Sequence, residues 1–265
     1  TDIRHIITSN IEHHAVLHSV ESERKYSNAD IFYLNADEKG MVSPEELKKV
    51  LTRPRDAIAT CESTLVSVML ANNEIGTIQP IAELSKVARE YGARFHTDAV
   101  QAVGHIPIDV KDLGVSMLSA SAHKFNGPKG IGFLYVRKGT PLMPYASGGG
   151  QEHHMRAGTE NVASIVGMAT ALKKNVAAMK DTASHLALLE NRLLAGLSNA
   201  NIRFSRNGSE AHIPGNLSLS FPGYSGESLL HRLDLMGICV STGSACNSQE
   251  AQISHVLQAI GLKLE

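Results

Sequence analysis

What most constrains this chain is an alternation. Over the first two-thirds of its 265 residues, short apolar runs take turns with segments of helical spacing. That pattern fits βαβ units around a mainly parallel sheet. HIITS (5–9) reads as a strand and HAVLHSVESERKY (14–26) as the helix after it. DIFYLN (30–35) is a second strand. SPEELKKVL (43–51) is a helix with Ser43 at its N-cap and Pro44 at the first helical position. The buried strand STLVSVML (63–70) leads to the helix PIAELSKVAREYG (80–92), which opens on proline and stops at Gly92. ARFHTDA (93–99), SMLSASA (116–122) and GIGFLYVR (130–137) add three more strands. FNGPKGIG, between the last two, folds the chain back as a hairpin.

Glycine becomes dense over 138–160, and a long helical stretch follows over 162–198. Then come IRFS (202–205), NLSLSFP (216–222), the helix ESLLHRLDLMG (227–237) and a short strand, ICVSTG, that leads into Cys246. The fold class predicted is α/β: a large domain over 1–175 and a smaller α+β domain over 176–265, with the boundary inside or beside the long helix. The chain has no initiator methionine and opens almost directly on a strand. It is therefore expected to be cut from a longer protein.

Composition excludes several function classes. A formal net charge of −1, from 25 basic and 26 acidic residues, gives no general pull toward nucleic acid or an anionic membrane. No apolar run approaches the ~18–20 residues a bilayer span needs. The cysteines are Cys61, Cys239 and Cys246. An odd count without CxxC argues against a disulfide scaffold or a zinc ribbon and for a reducing compartment such as the cytoplasm. Cys61 and Cys239 read as small buried hydrophobes. Cys246 differs, because the Ser/Gly/Ala-rich segment around it reads as a loop on which a thiol can ionise and attack.

Ligands of open α/β sheets sit beyond the carboxyl ends of the strands. Three polar clusters fall there: ANNEIG (71–76), HTDAVQ (96–101) and SAHK (121–124). If their strands are neighbours, Asn73, Asp98, Gln101, Ser121, His123 and Lys124 converge on one cleft. Lys124 is either a solvated loop lysine or an amine enclosed by the hairpin after it, where it can form a Schiff base. Asp98 is either a strand-end cap or the partner of a pyridine ring nitrogen. His13 can cap a helix, ligate a metal or stack on a planar cofactor, but no HExxH or Cys/His spacing favours the metal. Gly148, Gly149 and Gly150 do not match GxGxxG after a strand, so no nucleotide site is expected.

With EHHAV, NNEIG, HTDAVQ, SAHK, RAGTEN and STGSAC in this order, the chain resembles the cysteine desulfurases. The likeness is to the NifS/IscS-type branch of the class V, fold-type I enzymes that use pyridoxal 5'-phosphate, and it covers essentially the whole chain. It implies that Lys124 holds the cofactor covalently and moves protons. Asp98 would bind the ring nitrogen and Gln101 the ring hydroxyl, while His13 would stack on the ring and assist proton transfer. Ser121 and His123 would bind the phosphate, and Asn73 would lie near the ring and the substrate carboxylate. Thr159 would reach the phosphate in a neighbouring subunit, so a homodimer is implied. Cys246 would take sulfur from L-cysteine, leave L-alanine, and pass the sulfur to an iron–sulfur scaffold or another acceptor protein.

The family's Gly-Ala-Thr-Glu segment and its carboxylate-binding arginine lie beyond the two ends of this sequence, so a chain lacking both family termini is expected. IRFSR (202–206) has similar letters to the arginine motif but precedes the cysteine loop. A selenocysteine lyase or related class V enzyme shares Lys124 and Asp98 and remains an alternative. So does a non-catalytic homologue serving as a dimerisation or scaffold-binding module.

Overall fold

The computed structural model describes residues 3–53, 63–242 and 253–262. β1 (His5–Ser9) is buried along its whole length. It leads through α1 (His14–Ser27) to β2 (Asp30–Leu34). α1 starts where His13 Nδ1 accepts the Ala15 N–H at 3.1 Å, and it ends at Asn28, whose φ of 53° closes the last turn. α2 (Pro44–Leu51) has the predicted start: Ser43 Oγ accepts the amides of Glu45 and Glu46, and Pro44 follows. Its helical period puts Leu47, Val50 and Leu51 on one buried face.

β3 (Thr64–Ser67), α3 (Ile81–Glu90), β4 (Arg94–Asp98), the single turn α4 (Val110–Leu113), β5 (Met117–Ser121) and β6 (Gly132–Val136) complete the larger layer. The six strands lie in the order β2-β1-β3-β4-β5-β6. All neighbours are parallel except β5 and β6, which form the antiparallel hairpin. Alternate residues of the central strands (Ile7, Val66, Phe95 and Leu118) share one face, and they join Leu47 of α2 and Leu84 and Ala88 of α3 in the main core. On the other face Ile6 packs with Val20 of α1 and with Ala29.

From β1 the chain steps to one side to form β2, then returns on the other side to form β3. The crevice between β1 and β3 is therefore a topological switch point, where open sheets of this kind bind ligands.

α5 (Val162–Asn199) follows, then β7 (Ser205–Asn207) paired antiparallel with β8 (Ser218–Ser220), α6 (Gly226–Leu235) and α7 (His255–Ala259). Glu190 of α5 ties this part together: it pairs with Arg206 and His212, each at 3.0 Å. Among the described residues no helix is long and apolar enough to cross a membrane.

Some expectations shift. Only Ser205 of IRFS is in a strand. Pro80 caps α3 rather than opening it. Residues 238–242 form no strand, and Cys239 is exposed rather than buried. Cys61 and Cys246 lie outside the described residues.

Candidate active site at the carboxyl edge of the sheet

Because β1, β3, β4 and β5 are adjacent and parallel, their carboxyl ends open on one edge. The polar clusters read from the sequence all follow these ends. At the switch point the chain after β1 is tied down from three sides. Glu12 Oε1 accepts from Ser9 Oγ at 2.5 Å and from the Met69 N–H at 2.9 Å. The Asn72 amide donates to the Ile11 carbonyl at 2.8 Å. His255 Nε2 lies 2.9 Å from the Glu12 carbonyl oxygen. These bonds fix the start of α1, so that His13, itself exposed, caps the helix through Nδ1. The capping role is present, and it uses one ring nitrogen.

Glu12 is fully buried, and burial pushes its carboxyl up to about 8. The hydrogen bonds from Ser9 and Met69 work against that shift, and the Asp98 charge adds to it. Next to it His14 lies 4.7 Å from the His255 ring and 5.1 Å from the His18 ring. Its imidazole is held below the usual histidine range, first by burial and then by these neighbours and His13. Among the described residues there is no cluster of histidine, cysteine and carboxylate side chains able to hold a metal ion.

Asn73 follows β3 and is half-buried, and its carbonyl accepts from the Asn216 amide at 3.1 Å. Asp98 closes β4. The Val100 N–H caps its Oδ1 at 2.9 Å, and Gln101 is half-buried in the turn that follows. After β5, Ser121 Oγ and His123 Nδ1 are 2.8 Å apart. Lys124 sits in the 3-10 turn Ala122–Phe125. The three-residue period of that turn buries Ala122 and Phe125 and turns His123 and Lys124 outward. The hairpin forms as predicted, but the Lys124 amine is exposed rather than enclosed, because β6 turns away at once to pair Gly132 with Ser121.

The backbone under Lys124 is fixed by residues the sequence reading did not single out. His105 Nε2 lies 2.8 Å from the Lys124 carbonyl oxygen. Asn175 of α5 donates to the Phe125 carbonyl at 2.8 Å and accepts from the Asn126 amide at 3.1 Å. Gly104 allows the close approach: a Cβ there would lie 2.8 Å from Phe125 Cβ, and its φ is +82°. None of these positions stands in a motif, and only the fold brings α5 onto the turn. At the rim, Ser254 Oγ also donates to Glu74, which anchors the segment ahead of α7.

The edge thus gathers His13, Asn73, Asp98, Gln101, Ser121, His123 and Lys124. Thr159 is not at a strand end; it is exposed in the segment ahead of α5. An exposed amine, a half-buried carboxylate and a hydroxyl–imidazole pair on adjacent strands are the donor set that a phosphorylated pyridine aldehyde requires. The residues present therefore fit that group.

Residues 2–261 match the family described as aminotransferase class-V. The cysteine desulfurase IscS of Dictyoglomus turgidum is 48% identical over 263 residues, covering 99% of this chain and 64% of the relative. That of Methanosarcina thermophila is 46% identical, covering 99% of this chain and 63% of the relative. Among solved structures, a NifS-like protein superposes with a TM-score of 0.85 at 39% identity, over 98% of this chain and 66% of that one. A structure of SspA in complex with cysteine gives 0.79 at 34% identity, over 99% and 71%. The chain spans just under two-thirds of the length of the two IscS relatives. Sequence, topology and the ordered residues of the sheet edge agree: this chain belongs to the class V aminotransferase family, with the fold-type I architecture of NifS-like proteins.

Proposed function

We propose that this chain forms the larger part of a cysteine desulfurase that uses pyridoxal 5'-phosphate to convert L-cysteine to L-alanine. The observation that carries the reading is the placement of Asp98 and Lys124 at the carboxyl ends of adjacent parallel strands, β4 and β5. The names of the IscS relatives, and of a similar structure solved with cysteine, support the substrate.

When bound, pyridoxal phosphate supplies a sink for the electrons left on the substrate's α-carbon. The chain's own residues do the rest. Lys124 Nζ would hold the aldehyde, and as a free amine it would carry a proton. Asp98 keeps a proton on the ring nitrogen, and Gln101 hydrogen-bonds the ring hydroxyl. His13, clamped at the switch point, offers its ring face. Ser121 and His123, already hydrogen-bonded to each other, present donors to the phosphate. Asn73 orients the substrate carboxylate. The Cys246 thiol takes the sulfur: its S–H becomes S–SH, and the carbon that loses sulfur gains a proton, giving alanine.

Homodimerisation belongs to the same reading. Thr159 and the exposed apolar residues Met155, Val162 and Val166 form one stretch that a second copy would cover, with Thr159 reaching the partner's phosphate site. The sulfur acceptor would be an iron–sulfur scaffold or another carrier protein, met in the reducing cytoplasm.

Incubation with L-cysteine, with and without Cys246→Ala, tests the reading. The expected result is alanine together with a persulfide on Cys246, both lost in the variant. Alanine release unaffected by the substitution favours a lyase of the selenocysteine type. No turnover and no cofactor binding favours a non-catalytic module.

A further inference from the structure

The roles above leave His96 unused, although it sits in the middle of β4, between β3 and β5 and just ahead of that edge. It stands two residues before Asp98 on β4, so both side chains leave the same face of the sheet. His96 Nδ1 lies 2.8 Å from Ser67 Oγ of β3, and its Nε2 lies 2.8 Å from Ser119 Oγ of β5. Ser67 is level with His96, whereas Ser119 is level with Asp98, two residues further along β5 on the same face. Backbone bonds continue the tie past the regular ladder, from the Leu70 N–H to the Asp98 carbonyl at 2.8 Å and from the Ala99 N–H to the Ser119 carbonyl at 2.9 Å.

A neutral imidazole has one donor and one acceptor nitrogen. Ser67 and Ser119 satisfy both, one accepting and one donating, so a single Ser–His–Ser chain crosses three strands. Those are the three strands whose ends carry Asn73, Asp98 and Lys124. Charge matters here as well as spacing. An imidazolium beside Asp98 would pair with the carboxylate and compete with a cofactor nitrogen for it. Burial holds the His96 ring below the usual histidine range, with the Asp98 charge pulling the other way. Burial thus works against an imidazolium at this position, and so against that competition for the carboxylate.

We propose that His96 is a positioning residue: locked between Ser67 and Ser119, it sets the separation of the three strand ends and holds Asp98 in place for the ring nitrogen of the cofactor. The proposal rests on the reading of Asp98 given above.

The test is a double-mutant cycle on the full chain. It reads the dissociation constant for pyridoxal phosphate and the position of its visible absorbance band. His96→Phe removes both hydrogen bonds and should weaken cofactor binding by about tenfold, shifting the band in the same direction as Asp98→Asn. The two substitutions together should do no more than Asp98→Asn alone, because His96 acts through Asp98. His96→Gln, which keeps a donor and an acceptor, should recover part of the affinity. Should His96→Phe fail to fold, Ser119→Ala takes its place in the cycle. Unchanged affinity and band, or effects that add to those of Asp98→Asn, overturn the proposal. Absence of cofactor binding by the unsubstituted chain overturns the proposed function and this inference together, whereas binding with additive effects overturns this inference alone.

Discussion

Glu12 carries a pH dependence that can be worked out at the scale of one residue. Its ordinary value is 4.5, and burial raises it to about 8 in the folded chain. Below pH 4.5 the carboxyl is protonated in both states and costs nothing. Between about 4.5 and 8 the unfolded chain releases this proton while the folded chain keeps it, so stability falls as pH rises, then levels off. Glu12→Gln keeps the acceptor for Ser9 and Met69 and removes the titration. Its melting temperature should match the parent's near pH 5 and exceed it at pH 8.5 by about 5 °C or more. Thermal melts at the two pH values check this, and an equal difference at both would contradict it. Residue-scale legibility was uneven. Lys124, Asp98 and Ser121 could be read because each closes an apolar run. Glu12 could not, since a carboxylate after a strand normally signals solvent, and here it is buried by a fold the local letters do not reveal.

Among the elements, α2 was readable to its first residue because Ser43 and Pro44 state the start in local chemistry. Ser43→Ala should cost about 1 kcal/mol, measured by denaturant unfolding, without changing cofactor affinity. Strand ends were less readable. STLVSVML runs on into the apolar Val68, Met69 and Leu70, yet the regular strand stops at Ser67, because a run buried on both faces carries no period to mark its end. The turn carrying Lys124 shows a different limit. Its hairpin was evident from FNGPKGIG, but the direction of the amine depends on a 3-10 period within four residues. Its support comes from Asn175, 51 positions along the chain from Lys124. Asn175→Leu leaves the Phe125 carbonyl without that donor and should destabilise the protein by about 1–3 kcal/mol. It should also lower cofactor affinity. A variant with the parent's stability and affinity would show that the clamp does not matter.

At the scale of the whole molecule, the alternation of strand and helix was enough to predict a mainly parallel α/β sheet, and the hairpin at FNGPKGIG accounts for its antiparallel pair; the sheet order adds the switch point at β1 and β3. The division into 1–175 and 176–265 is retained as a proposal. It places Asn175 at the joint, where α5 leaves the Lys124 turn and runs on to Glu190, His212 and Arg206. α5 has no buried residue among its 38 and exposes Val162, Val166, Val176, Leu188 and Leu193. Such a helix is not explained by this chain's own packing. The sequence shows its period but not what covers it. Under the proposed function, sedimentation at micromolar concentration should give a dimer, and Val162→Glu with Val166→Glu should shift it to a monomer. A monomer before substitution would contradict the homodimer.

The central claim is that Asp98 and Lys124 serve one pyridine aldehyde. It is tested most directly by adding one equivalent of pyridoxal phosphate, reducing with borohydride and mapping the adduct by peptide mass spectrometry. The account predicts a yellow protein before reduction and a single modified lysine, Lys124, with the yield sharply lower in Asp98→Ala. Label scattered over surface lysines, or label at Lys124 indifferent to Asp98, would contradict it.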